Sequence, residues 1–388
     1  MGRKTICMVT TFHRPNDSRI YHKEARSLQA RYDVVIIAPD ETKPRSKDIT
    51  TDYDDAGIKV VKIPKPKGLL RSLTVFRRQV LRAAAKENCD VYHCHELDSL
   101  LISVMIKTVR KKKVIYDVHE HWPSALAHMA GSLKHLSFLQ RKSASRIIQT
   151  LVARIERTLA KRTDGIIVVS ESVGERFRDI DVATTVIPNV PLRKFNHKPG
   201  LERLPHNLVY MGGNLGYVHG IDLCGDLLSA LRARYPDVSL TLVGRLDDRA
   251  SELPFLKDQA EKVAVTGMLP LDRMYQTIAQ GQVGLLLFRN THHNMYIGLP
   301  SKLFDYMGCG IPVVASAFPE IQRVIKAAGC GICVDPDDSD AITSAVRYLL
   351  DNPVEAEKMG QNGREFIDKR YNWDAVGRDL KDLYNQVA

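Results

Sequence analysis

Thr5-Ile6-Cys7-Met8-Val9 is a short apolar run, a helical pattern follows from Ile20 to Ala30, and Val34-Val35-Ile36-Ile37-Ala38 is a second apolar run. Runs this short and this continuously apolar suit strands buried on both faces of a parallel sheet, and the helical stretch supplies the crossover that parallel pairing demands. Working outward from this βαβ unit, Ile58–Ile63, Val91–His95, Val114–Tyr116 and Ile166–Ser170 are further strand candidates. The segment from Ile187-Pro188-Asn189-Val190-Pro191 through Pro199-Gly200 breaks the periodicity with prolines and turn formers and reads as a linker. The alternation then restarts with strand candidates Leu208–Gly212, Ser239–Gly244, Val263–Thr266, Val283–Leu287, Pro312–Ala315 and Gly331–Val334, between helical patterns such as Ile221–Leu231 and Ala341–Leu350. Behind an aromatic corner of Tyr371 and Trp373, the apolar residues Val376, Leu380, Leu383 and Tyr384 recur at helical spacing.

The expected fold class is therefore α/β, with two tandem Rossmann-like doubly wound domains, residues 1–190 and 191–370, facing a central cleft, and 371–388 a closing helix that packs back toward the first domain. A chain of 388 residues is too long for one ordinary core. With 44% hydrophobic and 26% charged residues and no low-complexity tract, it should fold throughout. No apolar run approaches the roughly 20 residues that span a bilayer, and Met1–Thr10 lacks the apolar core of a signal peptide, so a cytoplasmic location is expected. The seven cysteines are scattered, and the Cys330/Cys333 pair has no second pair to complete a zinc site, so they are assigned to core packing. Charge is uneven: residues 1–190 hold 34 Lys and Arg against 21 Asp and Glu, a net of +13, whereas the remainder nets −2. Such asymmetry points to an anionic partner on the first half.

The segment richest in chemistry is Gly298-Leu299-Pro300-Ser301-Lys302-Leu303-Phe304-Asp305-Tyr306-Met307-Gly308. Glycine and proline open a helix whose free N–H groups and positive dipole end favour phosphate oxygens, and Lys302 adds charge in the first turn. Asp305, three residues on and on the same face, suits ribose hydroxyls as acceptor. Taken alone, the same residues also describe a capped helix with a surface Lys/Asp pair.

This segment resembles the donor-nucleotide motif of the retaining family-four glycosyltransferases of two-Rossmann "GT-B" architecture. The resemblance extends to Thr10-Thr11-Phe12-His13, Asp17-Ser18-Arg19-Ile20, Lys23-Glu24-Ala25-Arg26-Ser27-Leu28, Asp90-Val91-Tyr92-His93-Cys94-His95, Tyr116-Asp117-Val118-His119-Glu120, Ile187-Pro188-Asn189 and Tyr371-Asn372-Trp373, in order along nearly the whole chain. It implies a UDP-sugar or GDP-sugar donor, no cofactor, and transfer with retention, the departing phosphate taking the acceptor's proton. His119 matches the histidine near the transferred sugar and is the catalytic candidate, while His13, His95 and Glu120 fall on the acceptor side. Donor contacts fall to Gly213, Asn214, His219, Gly298, Leu299, Lys302, Leu303 and Asp305. Two positions depart from the family pattern. Of its paired glutamates, the second is Asp305 here and the first falls on Ile297, and the usual Arg and Lys after the first strand of the second domain fall on Gly213 or Asn214 and on His219.

His93 and His95 stand two apart on a strand, and His119 and His121 repeat that spacing, which would suit a metal; without a spaced carboxylate cluster none is assigned. Between Arg141 and Arg162, the apolar residues Ile147, Ile148, Leu151, Val152, Ile155 and Leu159 form a helical stripe flanked by Arg146, Arg154, Arg157, Lys161 and Arg162. A core-packed helix with a solvated basic face is the plain reading. The additional basic run Lys62, Lys65, Lys67, Arg71, Arg77, Arg78 and Arg82, mixed with Leu69, Leu70, Leu73, Val75 and Phe76, favours an anionic membrane surface instead. No aromatic-rich motif supports nucleic acid. The leading expectation is a glycosyltransferase peripheral to the inner membrane face, with a lipid-linked or polysaccharide acceptor, in cell-surface glycan synthesis. The alternatives are a sugar-nucleotide epimerase of the same fold or a catalytically weakened nucleotide-sugar-binding protein.

Overall fold

The computed structural model describes residues 2–42, 46, 48–68, 71–131, 138–192 and 202–388; Leu69, Leu70, the Arg141 side chain and the Pro199-Gly200 end of the expected linker lie outside what is described. The chain divides into two compact units, Met1–Pro188 with Val376–Ala388, and Asn189–Ala375.

The first unit carries β1 (Thr5–Thr10), β2 (Asp33–Asp40), β3 (Thr50–Tyr53), β4 (Lys59–Pro64), β5 (Val91–His95), β6 (Lys113–Val118), β7 (Gly165–Val168) and β8 (Thr184–Val186), in the sheet order β3-β4-β2-β1-β5-β6-β7-β8. Every neighbouring pair is parallel except β3 with β4. β1 to β5 is where the strand order reverses, the place where doubly wound sheets open a crevice at their C-terminal ends. Register sets the chemistry there: Thr10 pairs with His95 and His95 with Asp117, so these three residues form one row across β1, β5 and β6.

The second unit carries β9 (Asn207–Leu215), β10 (Ser239–Leu246), β11 (Val263–Val265), β12 (Val283–Leu286), β13 (Val313–Ser316) and β14 (Gly331–Val334), all parallel, in the order β11-β10-β9-β12-β13-β14. Here the switch lies between β9 and β12. Leu208, Tyr210, Leu240, Leu242 and Leu285 from the strands pack with Leu227, Leu228, Leu231, Val346 and Leu349 from the helices in one buried cluster. Two such sheets are the two Rossmann-like domains of the expected fold class.

The strand runs appear where expected, and the differences have local causes. The Ile20–Ala30 pattern winds first as a wide π-type helix, Ile20–Ala25, then continues as Arg26–Leu28. β6 runs to Val118, which draws Asp117 into the sheet. The strand expected at Ile166–Ser170 ends at Val168 because Ser170 turns to cap the next helix, its hydroxyl accepting from the Val173 N–H at 3.3 Å. β3 and β8 have no counterpart in the sequence reading: both are short edge strands, and β3 carries the polar, largely exposed residues Thr50-Thr51-Asp52-Tyr53. Six cysteines are buried and Cys333 is partly so, all as free thiols. No described helix is long and apolar enough to cross a membrane.

Candidate functional site

In the first unit the loop after β1 is shaped by Thr10, whose Oγ1 accepts from the Phe12 N–H at 3.3 Å and the His13 N–H at 3.0 Å. His13 Nδ1 then stands 3.4 Å from Asp17 and Nε2 3.5 Å from Glu96. Burial works against a charge on His13, but Asp17 and Glu96 outweigh it and raise its pKa to about 10. Asp17 is held correspondingly low, and its other oxygen accepts from the Arg19 and Ile20 N–H groups, fixing the start of the helix.

His119 is bound by carboxylates on both sides, Nε2 lying 3.1 Å from Asp117 Oδ2 and Nδ1 3.4 Å from Glu96 Oε1. Its ring lies 4.8 Å from that of His13. Glu96 also accepts from the Trp122 indole, and its backbone sits at φ +76°, a left-handed conformation that a non-glycine residue adopts only under external constraint. Asp117 is fully buried and accepts two bonds from Arg19, Nε and Nη2 each at 3.0 Å, while His95 Nδ1 approaches at 3.2 Å. Despite burial, Arg19 and His119 hold the Asp117 carboxyl well below its ordinary range. Arg19 is anchored further by donating to the Ile187 carbonyl at 2.9 Å. Of the acceptor-side candidates, His13 and His95 thus share this crevice with His119. Glu120 is half-buried behind it, its carboxyl raised by burial and by Glu96, and its carbonyl accepts from Arg176 at 3.0 Å.

In the second unit the helix Ser301–Gly308 is locked across the switch point by Tyr306, whose hydroxyl accepts from the Met211 N–H at 2.8 Å and donates to the Leu285 carbonyl at 3.0 Å. Lys302 therefore reaches the C-terminal half of β9, where a Cβ on Gly212 would stand 2.8 Å from its Nζ. Only glycine lets the lysine and the strand backbone come this close. At the exposed Gly213 nothing lies within 4 Å of where a Cβ would be, so the backbone there is open. Asn214 is likewise exposed. Lys302 Nζ lies 5.1 Å above the Phe288 ring, and the His219 ring packs edge-on against the same ring at 5.5 Å. Burial lowers the Lys302 pKa to about 8, and burial with the nearby Lys302 charge lowers His219 to about 4. A neutral imidazole and a destabilised ammonium beside the C-terminal half of a strand form a site that an anion would stabilise. Asp305 accepts from the Tyr275 hydroxyl at 2.9 Å. Leu303 is buried, and Gly298 and Leu299 are half-buried at the turn into the helix, where a Cβ on Gly298 would stand 2.6 Å from the Asn294 carbonyl. Ile297 is buried in the preceding short helix.

Among the partners that make these sites, Arg19, Glu24 and Asp117 stood in the sequence reading only as parts of motifs, and Glu96, Tyr275 and Phe288 not at all. Strand alternation offered one signal, since Asp117 and His119 are two apart, as are His93 and His95.

The profile of Glycosyltransferase Family 4 matches residues 18–190, and that of Glycosyl transferases group 1 matches residues 193–366. A GDP-mannose-dependent alpha-(1-6)-phosphatidylinositol monomannoside mannosyltransferase of Mycolicibacterium smegmatis is 31% identical over 171 residues, 42% of this chain and 44% of that protein. A phosphatidyl-myo-inositol mannosyltransferase of the same organism is 24% identical over 92% of this chain and 86% of its own length. The stretch matched in the first of these relatives spans less than half of that relative's length. Among solved structures, sucrose-phosphate synthase from Thermosynechococcus elongatus superimposes with a TM-score of 0.75 over 99% of both chains at 19% identity, a likeness of fold. With one profile on each unit and the GT-B fold throughout, the chain belongs to the family-4, group-1 type of glycosyltransferases.

Proposed function

We propose that this protein transfers a sugar, with retention of anomeric configuration, from a UDP- or GDP-sugar to a lipid-linked or glycan acceptor in the making of cell-surface glycans. The observation that carries the proposal is Lys302 brought against Gly212 in the C-terminal half of β9, a half-buried cation beside open backbone at a switch point. In this reading Lys302, the Gly213 and Asn214 backbone and the start of the Ser301–Gly308 helix receive the diphosphate, and Asp305 the ribose. His219 stays neutral and donates or accepts a hydrogen bond. No metal is needed to neutralise the leaving group, because these fixed dipoles and the ammonium stabilise its charge as the glycosidic C–O bond breaks. The departing phosphate takes the acceptor's proton. His119, oriented by Asp117 and Glu96, is the candidate group beside the sugar, with His13 and His95 on the acceptor side.

A lipid-linked acceptor draws support from the activities for which the two mannosyltransferases are named and from the surface of the first unit. Along the helix Phe138–Ala160, Ile147, Leu151 and Ile155 are 65%, 55% and 45% exposed at four-residue spacing, and Arg146 and Arg154 are exposed beside them. On the helix Glu96–Arg110, Leu101, Met105 and Val109 are exposed at the same spacing. An anionic bilayer at the inner membrane face would cover such apolar stripes and suit the net +13 charge of residues 1–190.

The test is turnover of UDP- and GDP-sugars with and without membrane lipid extract as acceptor, following both the sugar and the free nucleotide. Transfer to lipid supports the proposal. Epimerised nucleotide sugar in the absence of acceptor, or binding without turnover in all combinations, would refute it.

A further inference from the structure

β6 meets its last ladder partner at Val118, which pairs with Val168, and His119-Glu120-His121 form a corner before the helix Trp122–Gly131 begins. Backbone beyond the end of a ladder is set by the bonds its polar groups find elsewhere. The Glu120 carbonyl, next to His119, accepts from the Trp122 N–H at 3.1 Å and from Arg176 Nη2 at 3.0 Å. We propose that Arg176, locked by Glu156, is a positioning residue that fixes this corner and so aims His119 for sugar transfer. The inference rests on the reading of His119 as the group beside the sugar.

The guanidinium has little freedom. Arg176 Nε donates to Glu156 Oε2 at 2.9 Å, Nη2 to Glu156 Oε1 at 3.1 Å and Nη1 to the Val173 carbonyl at 2.9 Å, while the group packs 4.6 Å over the Phe177 ring. Nη2 thus directs one hydrogen at Glu156 and the other at Glu120, so the fork that grips the helix Phe138–Ala160 also grips the corner. Glu156 is fully buried and accepts a third bond from the Tyr116 hydroxyl at 2.7 Å. Burial and the Glu156 charge hold the Tyr116 pKa well above its ordinary value, which keeps that hydroxyl a donor. A buried ion pair gains little stability over apolar residues of like volume. What it supplies here is direction.

Side chains alternate along a strand, so Tyr116 leaves β6 on the face opposite Asp117. On the Asp117 face a different arginine does the holding: Arg19 bridges Asp117 and Glu24, its Nε lying 2.9 Å from Glu24 Oε1. The neighbouring strand β5 is tied on that side through His93 Nδ1, 2.9 Å from the Tyr384 hydroxyl. The end of β6 is therefore held from both faces. Asp117 orients the His119 ring, and Arg176 fixes the backbone from which the ring projects.

Replacing the network as a whole, Tyr116→Phe with Glu156→Met and Arg176→Met, removes both buried charges and the hydroxyl that would be left unpaired, so the fold is kept while the Glu120 carbonyl loses its guanidinium. Turnover is read as nucleotide released from a UDP- or GDP-sugar with membrane lipid extract, and folding by urea unfolding. The His119 ring is followed by NMR of protein carrying isotope-labelled histidine, its signals assigned by their loss in His119→Asn. The expected result is a near-wild-type urea midpoint, an unchanged donor KM, displaced His119 signals and a kcat lower by about 10- to 100-fold, the order that a misplacement of about 1 Å produces. A purely structural network would return wild-type kcat together with wild-type stability; that result, or unmoved His119 signals, overturns the proposal. Should the triple variant not fold, Arg176→Lys keeps the charge beside Glu156 but has one nitrogen where the fork has three. Lowered kcat at unchanged donor KM with displaced signals then supports the proposal, and wild-type kcat or unmoved signals in folded Arg176→Lys overturns it. Wild-type turnover by His119→Asn would fault the reading of His119 instead, and the histidine signals would still decide whether Arg176 holds the ring.

Discussion

Raising the pH past 8 should weaken donor binding through Lys302 alone. Burial brings its pKa from the ordinary 10.5 to about 8. At about 1.36 kcal/mol per pH unit, the ammonium is roughly 3 kcal/mol less favourable in its pocket than in water. A nucleoside diphosphate supplies the missing counter-charge and raises the pKa again, so binding takes up a proton wherever the free protein has lost it. Affinity for UDP or GDP, whichever binds, should be flat below pH 8 and fall up to about tenfold per pH unit above it. The free protein should respond in the opposite sense. The unfavourable charge is fully present below the folded pKa of about 8 and is relieved between there and the unfolded value near 10.5, so this group adds stability as the pH rises. Titration calorimetry in buffers of different ionisation enthalpy reads both the affinity and the proton uptake. Lys302→Met should bind about 10- to 150-fold more weakly at pH 7, the loss of one charge-assisted contact, and should lose the pH dependence. Wild-type affinity independent of pH from 7 to 9.5, or a Met variant that binds as tightly, would refute the assignment of Lys302 to the diphosphate.

Replacing Arg19 by Met leaves Asp117 and Glu24 buried without their guanidinium and should remove about 3–5 kcal/mol of stability in urea unfolding. His13, with its pKa raised to about 10, contributes stability that is complete below its unfolded value near 6.5 and lost as the pH rises through about 10; the melting-temperature gap between wild type and His13→Asn should therefore narrow across that window. Tyr275→Phe removes the hydroxyl that orients Asp305 and should raise KM for the donor several-fold with little change in kcat, whereas Asp305→Ala should lower kcat/KM by about 10-fold or more. Changing the exposed Arg146, Arg154 and Lys161 to Glu should reduce binding to phosphatidylglycerol vesicles at least about 100-fold, at about 1 kcal/mol per basic residue, without altering soluble donor affinity; sedimentation equal to wild type would remove this face from membrane contact.

The alternation of short apolar runs with helical patterns was enough to place the sheets, because a parallel strand buried on both faces has few other ways to be written. The edge strands of the first sheet escaped notice, since Thr50–Tyr53 meets solvent and carries no apolar signature. The histidines were visible as residues, but their setting was not. Asp117 meets Arg19 across 98 positions of sequence, and Glu24 reaches His95 only after β1 and β5 pair. Similarly, Lys302 could be read as a charge at a helix start. Its burial against Gly212 and Phe288, which moves its pKa, arises from the Tyr306 bonds that fix the helix across β9 and β12.

The Tyr384 hydroxyl on His93 has a consequence for the order in which the chain can fold. The first unit is discontinuous, its last piece, Val376–Ala388, being separated from the rest by the whole of the second. On the ribosome, β5 is made early and waits, with His93 lacking its partner, until all of Asn189–Ala375 has been synthesised. The second unit, continuous in sequence, can complete its core first, although it starts later. Pulse proteolysis of stalled nascent chains should accordingly find the second unit protected while the first still yields to cleavage.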